Sequence, residues 1–86
     1  MKTRIYTVND NGMTQIHQFL AEHHKNGGDH FDRDMVRAWA ADAEFQLSEG
    51  NPASIEIPAR DAVSGHAETF TISAEGLDFE EVELDD

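Results

Sequence analysis

The stretch Phe31–Pro52, FDRDMVRAWAADAEFQLSEGNP, is the segment whose reading decides the fold. Asp32 is a good helix N-cap, because its carboxylate can accept from a free first-turn N–H. Phe31 and Val36 stand at the N′ and N4 positions of a hydrophobic staple. Asp34 suits the positive end of the helix dipole. Gly50 tolerates the left-handed conformation that closes a helix, and Pro52 prevents resumption. Between these signals, Met35, Val36, Trp39, Ala40, Ala43 and Leu47 form a broad apolar face. Ala38, Ala41 and Phe45 lie on the opposite side. A helix apolar on two sides predicts a sandwiched element, with one side on a sheet and the other on a second helix. The alternative reading makes Phe45, flanked by Asp42 and Glu49, an exposed anchor for a partner.

Working outward, Lys2–Val8 reads as a strand, since Ile5, Tyr6, Thr7 and Val8 are β-formers stopped by Asn9-Asp10-Asn11-Gly12. Residues Met13 to Lys25 read as a helix with Met13, Ile16, Leu20 and His23 on one stripe, capped by Asn11 or Thr14 and ended by Asn26-Gly27-Gly28. After Pro52, Ser54–Ala59 is a short strand in which Pro58 cannot donate to a ladder. Arg60–Gly65 is a loop, and His66–Ser73 pairs back as the second arm of a hairpin, with Phe70 and Ile72 inward. The segment after Gly76 is ambiguous. Leu77 and Phe79 fit one strand phase and Val82 and Leu84 the other, which implies a bulge or a break between them; Leu77, Glu81 and Leu84 also fit a helix. The order β-α-α-β-β, with a possible fourth strand, predicts an α+β fold: a small, mostly antiparallel sheet with both helices packed on one face.

Eighty-six residues make a single domain over 1–86 with frayed last residues. The apolar share of 38% is that of a globular chain. There is no Cys, which removes disulfides, Cys-based zinc sites and thiol chemistry, and points to a cytoplasmic location. Met1–Val8 has no apolar core of a signal peptide, and no apolar run approaches the roughly 20 residues of a membrane span.

Candidate chemistry is sparse. His17, His23, His24 and His30 cluster around the end of the first helix near Asp29 and Asp32, but their spacing matches no metal-ligand frame. A helix C-terminus decorated with residues that favour its negative end explains them, so no metal or other cofactor is expected. Adding five protons to the histidines would move the net charge from −12 to −7, so charge-driven binding should shift between about pH 5 and 7. Ser64-Gly65-His66 lacks the oriented base and oxyanion hole of a triad, and no Gly-x-Ser-x-Gly or phosphate-binding glycine loop occurs. The chain reads as a non-enzyme.

The acidity is the strongest functional signal. Eighteen Asp and Glu stand against six Lys and Arg. Direct binding to nucleic acid or an anionic membrane is disfavoured, because both require basic residues to meet phosphates. A basic protein surface is the complementary partner. Seven of the last twelve residues are carboxylates, interleaved with Leu77, Phe79, Val82 and Leu84. Such interleaving predicts an ordered element presenting Asp78, Glu80, Glu81, Glu83 and Asp85. On a strand, Glu81, Glu83 and Asp85 form a row with a step of about 6.8 Å. The long helix adds Asp34, Asp42 and Glu49, and Phe45 or Phe79 can supply an apolar anchor.

In length, lack of Cys, charge, α+β layout and acidic C-terminus, the whole chain resembles the small acidic inhibitors encoded by phages and mobile elements, including anti-CRISPR proteins and other DNA mimics. The resemblance is one of type and rests on no diagnostic motif. It implies a stoichiometric inhibitor in a host cytosol that docks on a basic nucleic-acid-binding surface, such as that of a CRISPR effector complex, and excludes DNA. An antidote or immunity protein against a basic toxin, and an adaptor whose acidity only keeps it dissolved, are the other classes compatible with these residues.

Overall fold

A computed structural model describes residues 1–27 and 30–83. The elements are β1 (Lys2–Val8), α1 (Asp10–His23), α2 (Arg33–Ser48), β2 (Ser54–Ile57), β3 (Glu68–Thr71), a 3-10 turn (Ala74–Gly76) and β4 (Leu77–Glu83). The fold is α+β, as the element order predicts. The strands pair as two separate antiparallel ribbons, β1–β4 and β2–β3.

The division of the strands has a visible cause in α2. The backbone N–H of Val8, on the edge of β1 away from β4, donates to Glu44 Oε2 at 2.7 Å. On the edge of β2 away from β3, Gln46 donates to the Ser54 carbonyl at 2.8 Å and accepts from the Ser54 N–H at 3.2 Å. Two polar side chains of one helix thus occupy the strand edges that would otherwise seek a further strand. Gln15 of α1 acts in the same way just after β3, accepting from the Ser73 N–H at 3.0 Å.

α2 begins and ends as its sequence dictates. Asp32 Oδ1 accepts from the Met35 N–H at 2.9 Å, and Phe31 and Val36 are both buried as a staple. At the other end, Gly50 has φ +83° and donates to the Leu47 carbonyl, while Asn51 donates to that of Gln46. This pair of bonds is a Schellman closure. One face, Val36, Ala40 and Ala43, is fully buried. The sandwich expectation fails for the other: Ala38 and Ala41 are exposed and Phe45 is 63% exposed. α2 packs on β1, α1 and β2, and among the described residues its other side stays exposed at Ala38, Ala41 and Phe45.

α1 starts earlier than the predicted Met13 and is capped by neither Asn11 nor Thr14. Asn9 is the cap: its Oδ1 accepts from the Gly12 N–H at 2.9 Å. Its amide also donates to the Glu75 carbonyl at 3.1 Å and to Asp78 Oδ1 at 3.2 Å, so one side chain starts the helix and ties it to β4. Gly12 belongs to the helix because it meets Gly76 there. A Cβ on Gly12 would fall 2.6 Å from Val8 Cγ1 and inside contact distance of the Gly76 carbonyl oxygen. The helix ends before the expected Lys25, because His24 bridges to Ala62 and the Lys25 N–H donates to the Asp61 carbonyl at 2.8 Å.

The hairpin arms are shorter than predicted, and the connection runs from 58 to 67 in place of 60 to 65. The Pro58 carbonyl accepts from Asp61 and Ala62, which turns the chain away from the ladder immediately after Ile57. Ile55, Ile57 and Ile72 are buried as the alternation requires, and half-buried Phe70 stacks on Phe19 with centroids 5.3 Å apart. β4 is a strand, and the expected bulge does not occur within it: one unbroken register joins Lys2 with Glu83 through to Val8 with Leu77. Leu77, Phe79, Glu81 and Glu83 therefore share one face, and Asp78, Glu80 and Val82 the other. Leu84 and Asp85 lie outside the described residues.

Candidate protein-binding surface

Helical geometry places residues three, four, seven and eleven apart on one side of α2. Phe45 consequently stands beside Ala41, Ala38, Asp34, Asp42 and Glu49, with Met35 at the margin. Asp34, Asp42 and Glu49 are exposed, and Met35 is 46% exposed. From Asp34 to Glu49 the face spans four turns, about 22 Å. Asp42 accepts a hydrogen bond from Gln46 Nε2 at 2.9 Å. Among the described residues, none of these three carboxylates has an ion-pair partner.

The arginines are committed elsewhere. Arg4 meets Glu81 at 3.5 Å, Arg33 meets Asp10 at 2.9 Å, Arg37 meets Glu44 at 2.7 Å and Arg60 meets Asp61 at 3.6 Å. The Glu44 carboxylate joins two of these roles, since it also receives the Val8 N–H. The helix side that touches β1 is locally neutral, and on the outward side Asp34, Asp42 and Glu49 have no ion pair among the described residues.

The carboxylates of β4 are differently placed. The predicted row containing Glu81 and Glu83 is built, but β1 sets Arg4 directly opposite Glu81 and Lys2 opposite Glu83. Arg4 also lies over the Phe79 ring, 4.5 Å from its centroid, and Tyr6 packs tilted on Phe79 at 5.9 Å. The hydrogen bond with Tyr6, with the Glu81 carboxylate adding to it, holds the Arg4 guanidinium above its usual range. Phe79 is 54% exposed, yet its face is engaged by a cation of its own chain. On the reverse face, Glu80 stands opposite exposed Ile5, and Asp78 is fixed by Asn9. Among the described residues, Glu81 of β4 is ion-paired with Arg4 and Glu83 faces Lys2 across the ladder, whereas Glu80 of β4 and Asp34, Asp42 and Glu49 of α2 have no ion pair. Asp85 lies beyond the described residues.

Two histidines of the cluster, His23 and His24, have structural partners. His23 Nδ1 lies 2.9 Å from Glu68 Oε1 and its ring packs on Phe19, which joins the end of α1 to β3. His24 accepts from the Asn26 N–H at 3.1 Å and sits edge-on to Phe31. Among the described residues, no three His, Asp or Glu side chains converge as metal ligands. The Ser64 hydroxyl bonds the backbone of His66, not its imidazole. A cleft of about 350 Å³ lies between α1 and the start of α2, lined by Met13, His17, Phe31 and Val36 with the Asp10–Arg33 pair at its mouth.

Sequence reasoning missed Glu44, Gln46 and Asn9, whose side chains fix the frame on which the surface stands. Only the position of Asn9 immediately before Asp10 and Asn11 signalled a cap. Among the described residues no helix is long and apolar enough to cross a membrane. No family model, curated protein or solved structure matches the chain.

Proposed function

We propose that this protein is an acidic inhibitor that docks on a basic, nucleic-acid-binding protein surface and denies it to DNA, as the likeness to anti-CRISPR proteins and other DNA mimics suggests. The observation that carries this reading is the outer face of α2: exposed Phe45 among Asp34, Asp42 and Glu49, none of them ion-paired among the described residues, with Arg37 at the margin engaged by Glu44. An unpaired, single-sign patch steers association with an oppositely charged surface and rejects like-charged ones. A large exposed aromatic at its centre supplies the desolvated anchor that charge alone does not.

The mode of blocking follows from spacing. The three α2 carboxylates fall about 10–12 Å apart along the helix axis. One strand of duplex DNA carries a charge every ~3.4 Å. Phosphate-for-phosphate imitation is therefore too sparse on α2, and on β4 the closer row faces Lys2 and Arg4. Occlusion by a protein-type contact with an acidic rim fits this distribution better. Because α2 is held on both sides through Glu44 and Gln46, the face needs no ordering on binding.

The test uses a basic nucleic-acid-binding complex captured from a host lysate at low salt, with the protein immobilised through its N-terminus. Capture should decline steeply as salt is raised from 50 to 300 mM, and duplex DNA should compete. The variant carrying Asp34→Asn, Asp42→Asn and Glu49→Gln should lose capture while keeping its fold by circular dichroism. Undiminished capture by that variant, or binding indifferent to excess DNA, would remove the basis of the reading.

A further inference from the structure

The outer face of α2 has relief as well as charge. Ala38 and Ala41, both small and exposed, lie two turns and one turn before exposed Phe45, with Met35 at the margin. Small residues let a second helix approach to the 8–10 Å interaxial distance of ordinary helix packing, with a large side chain beside them entering its groove. The backbone of α2 is saturated by its own helical bonds, so recognition here depends on side chains. A strand that binds by backbone pairing would gain nothing from it.

Charge narrows the occupant further. A second copy of this chain on the same face would bring the three carboxylates of each molecule together. Nucleic acid and an anionic bilayer are repelled for the same reason. What fits is a helix with an apolar or small-residue seam and basic flanks. We infer that the outer face of α2 takes an amphipathic, lysine- and arginine-flanked helix of a basic partner protein. Its seam packs over Ala38 and Ala41 beside Phe45, and its flanking cations meet Asp34, Asp42 and Glu49. This inference rests on the basic-surface reading above and names the partner element that reading leaves open. It also selects α2 over β4, because Arg4 and Lys2 already oppose Glu81 and Glu83.

The probe is a synthetic helical peptide of roughly 16 residues, long enough to cover the face, with an alanine-leucine seam flanked by lysines. A same-composition peptide with the seam scrambled and an oligolysine of equal charge are the comparators. Affinity is read by titration calorimetry at low salt and the site by backbone amide shifts. The amphipathic peptide should bind in the micromolar class expected of a contact below about 1,200 Å². Both Phe45→Ala and the triple Asp34→Asn, Asp42→Asn, Glu49→Gln should weaken it by about 10-fold or more. Glu80→Gln with Glu83→Gln should change it less than about 2-fold, in keeping with rim charges outside the contact. The comparators should bind more weakly and ignore Phe45→Ala. If the three cationic peptides bind equally and Phe45→Ala changes none of them, the helix assignment is overturned while the basic-surface reading stands. Shifts confined to β4 would overturn the choice of face. If no cationic peptide binds at all, both the inference and the reading beneath it fall.

Discussion

Replacing Gly12 by Ala tests the joint that fixes β4 to the body of the domain. Inside an isolated helix this change is favourable by about 1 kcal/mol. Here the added methyl would lie 2.6 Å from Val8 Cγ1 and still nearer the Gly76 carbonyl oxygen. That oxygen is no free end, because the Asn9 N–H donates to it at 3.0 Å. Relief requires moving backbone on one side or the other, which places the overpacking cost at the upper part of the ~1–3 kcal/mol range. Set against the propensity gain, the net loss is about 2 kcal/mol, or a fall in Tm of roughly 8–16 °C for a domain of this size. Thermal melts followed by far-ultraviolet circular dichroism read it directly. Gly50→Ala is the comparator, since Gly50 has φ +83° with nothing near its missing Cβ, so only the backbone cost of about 1 kcal/mol applies. A Gly12→Ala protein as stable as the parent, or more stable than Gly50→Ala, would show that the helix and the 3-10 turn do not meet as described.

Further predictions concern single side chains. Asn9→Ala should cost about 1–2 kcal/mol in urea denaturation, since it removes the α1 cap together with two bonds to the β4 end. Gln46→Ala should cost about 1–3 kcal/mol, because both backbone groups of Ser54 lose their partner on a half-buried edge. Glu81→Gln should change stability by less than about 1 kcal/mol, as its pair with Arg4 is half exposed on both sides. Phe45→Ala should leave the melting curve within about 0.5 kcal/mol of the parent while lowering binding, which separates a docking residue from a packing one.

What was legible in the sequence was what local physics decides. Asp32, Phe31, Val36 and Gly50 mark α2 because caps, staples and left-handed glycines act within a few residues. Lys2–Val8 is legible because its β-formers end at a cluster of turn residues. The ends of α1 were not legible: Asn9 is selected as cap by contacts with Glu75 and Asp78, far away in the chain, and His24 leaves the helix to bridge Ala62. The split of the sheet was hidden for the same reason, since nothing local marks Glu44 or Gln46 as groups that occupy strand edges. The acidic site residues were legible as a composition, but not their grouping. Which carboxylate faces a cation depends on the β1–β4 register, and a strand pairing across most of the chain length leaves no trace in either segment alone.

The register also decides what the net charge of −12 means. Had the positive charges been spread evenly, the surplus would be a diffuse property of the surface, useful for solubility and little else. They are not spread evenly. All four arginines sit on carboxylates of their own chain, two of them along the flank of α2 that meets α1 and β1. The carboxylates left without an arginine partner include Asp34, Asp42 and Glu49, and the α2 outer face that carries them also exposes Phe45. A protein that needed acidity only to stay dissolved has no reason to place Phe45 at the centre of it, because an exposed aromatic works against solubility. Exchanging Phe45 for Ser separates the two cases: an adaptor whose acidity serves dispersal should become more soluble and lose nothing. A docking protein should become more soluble and release its partner.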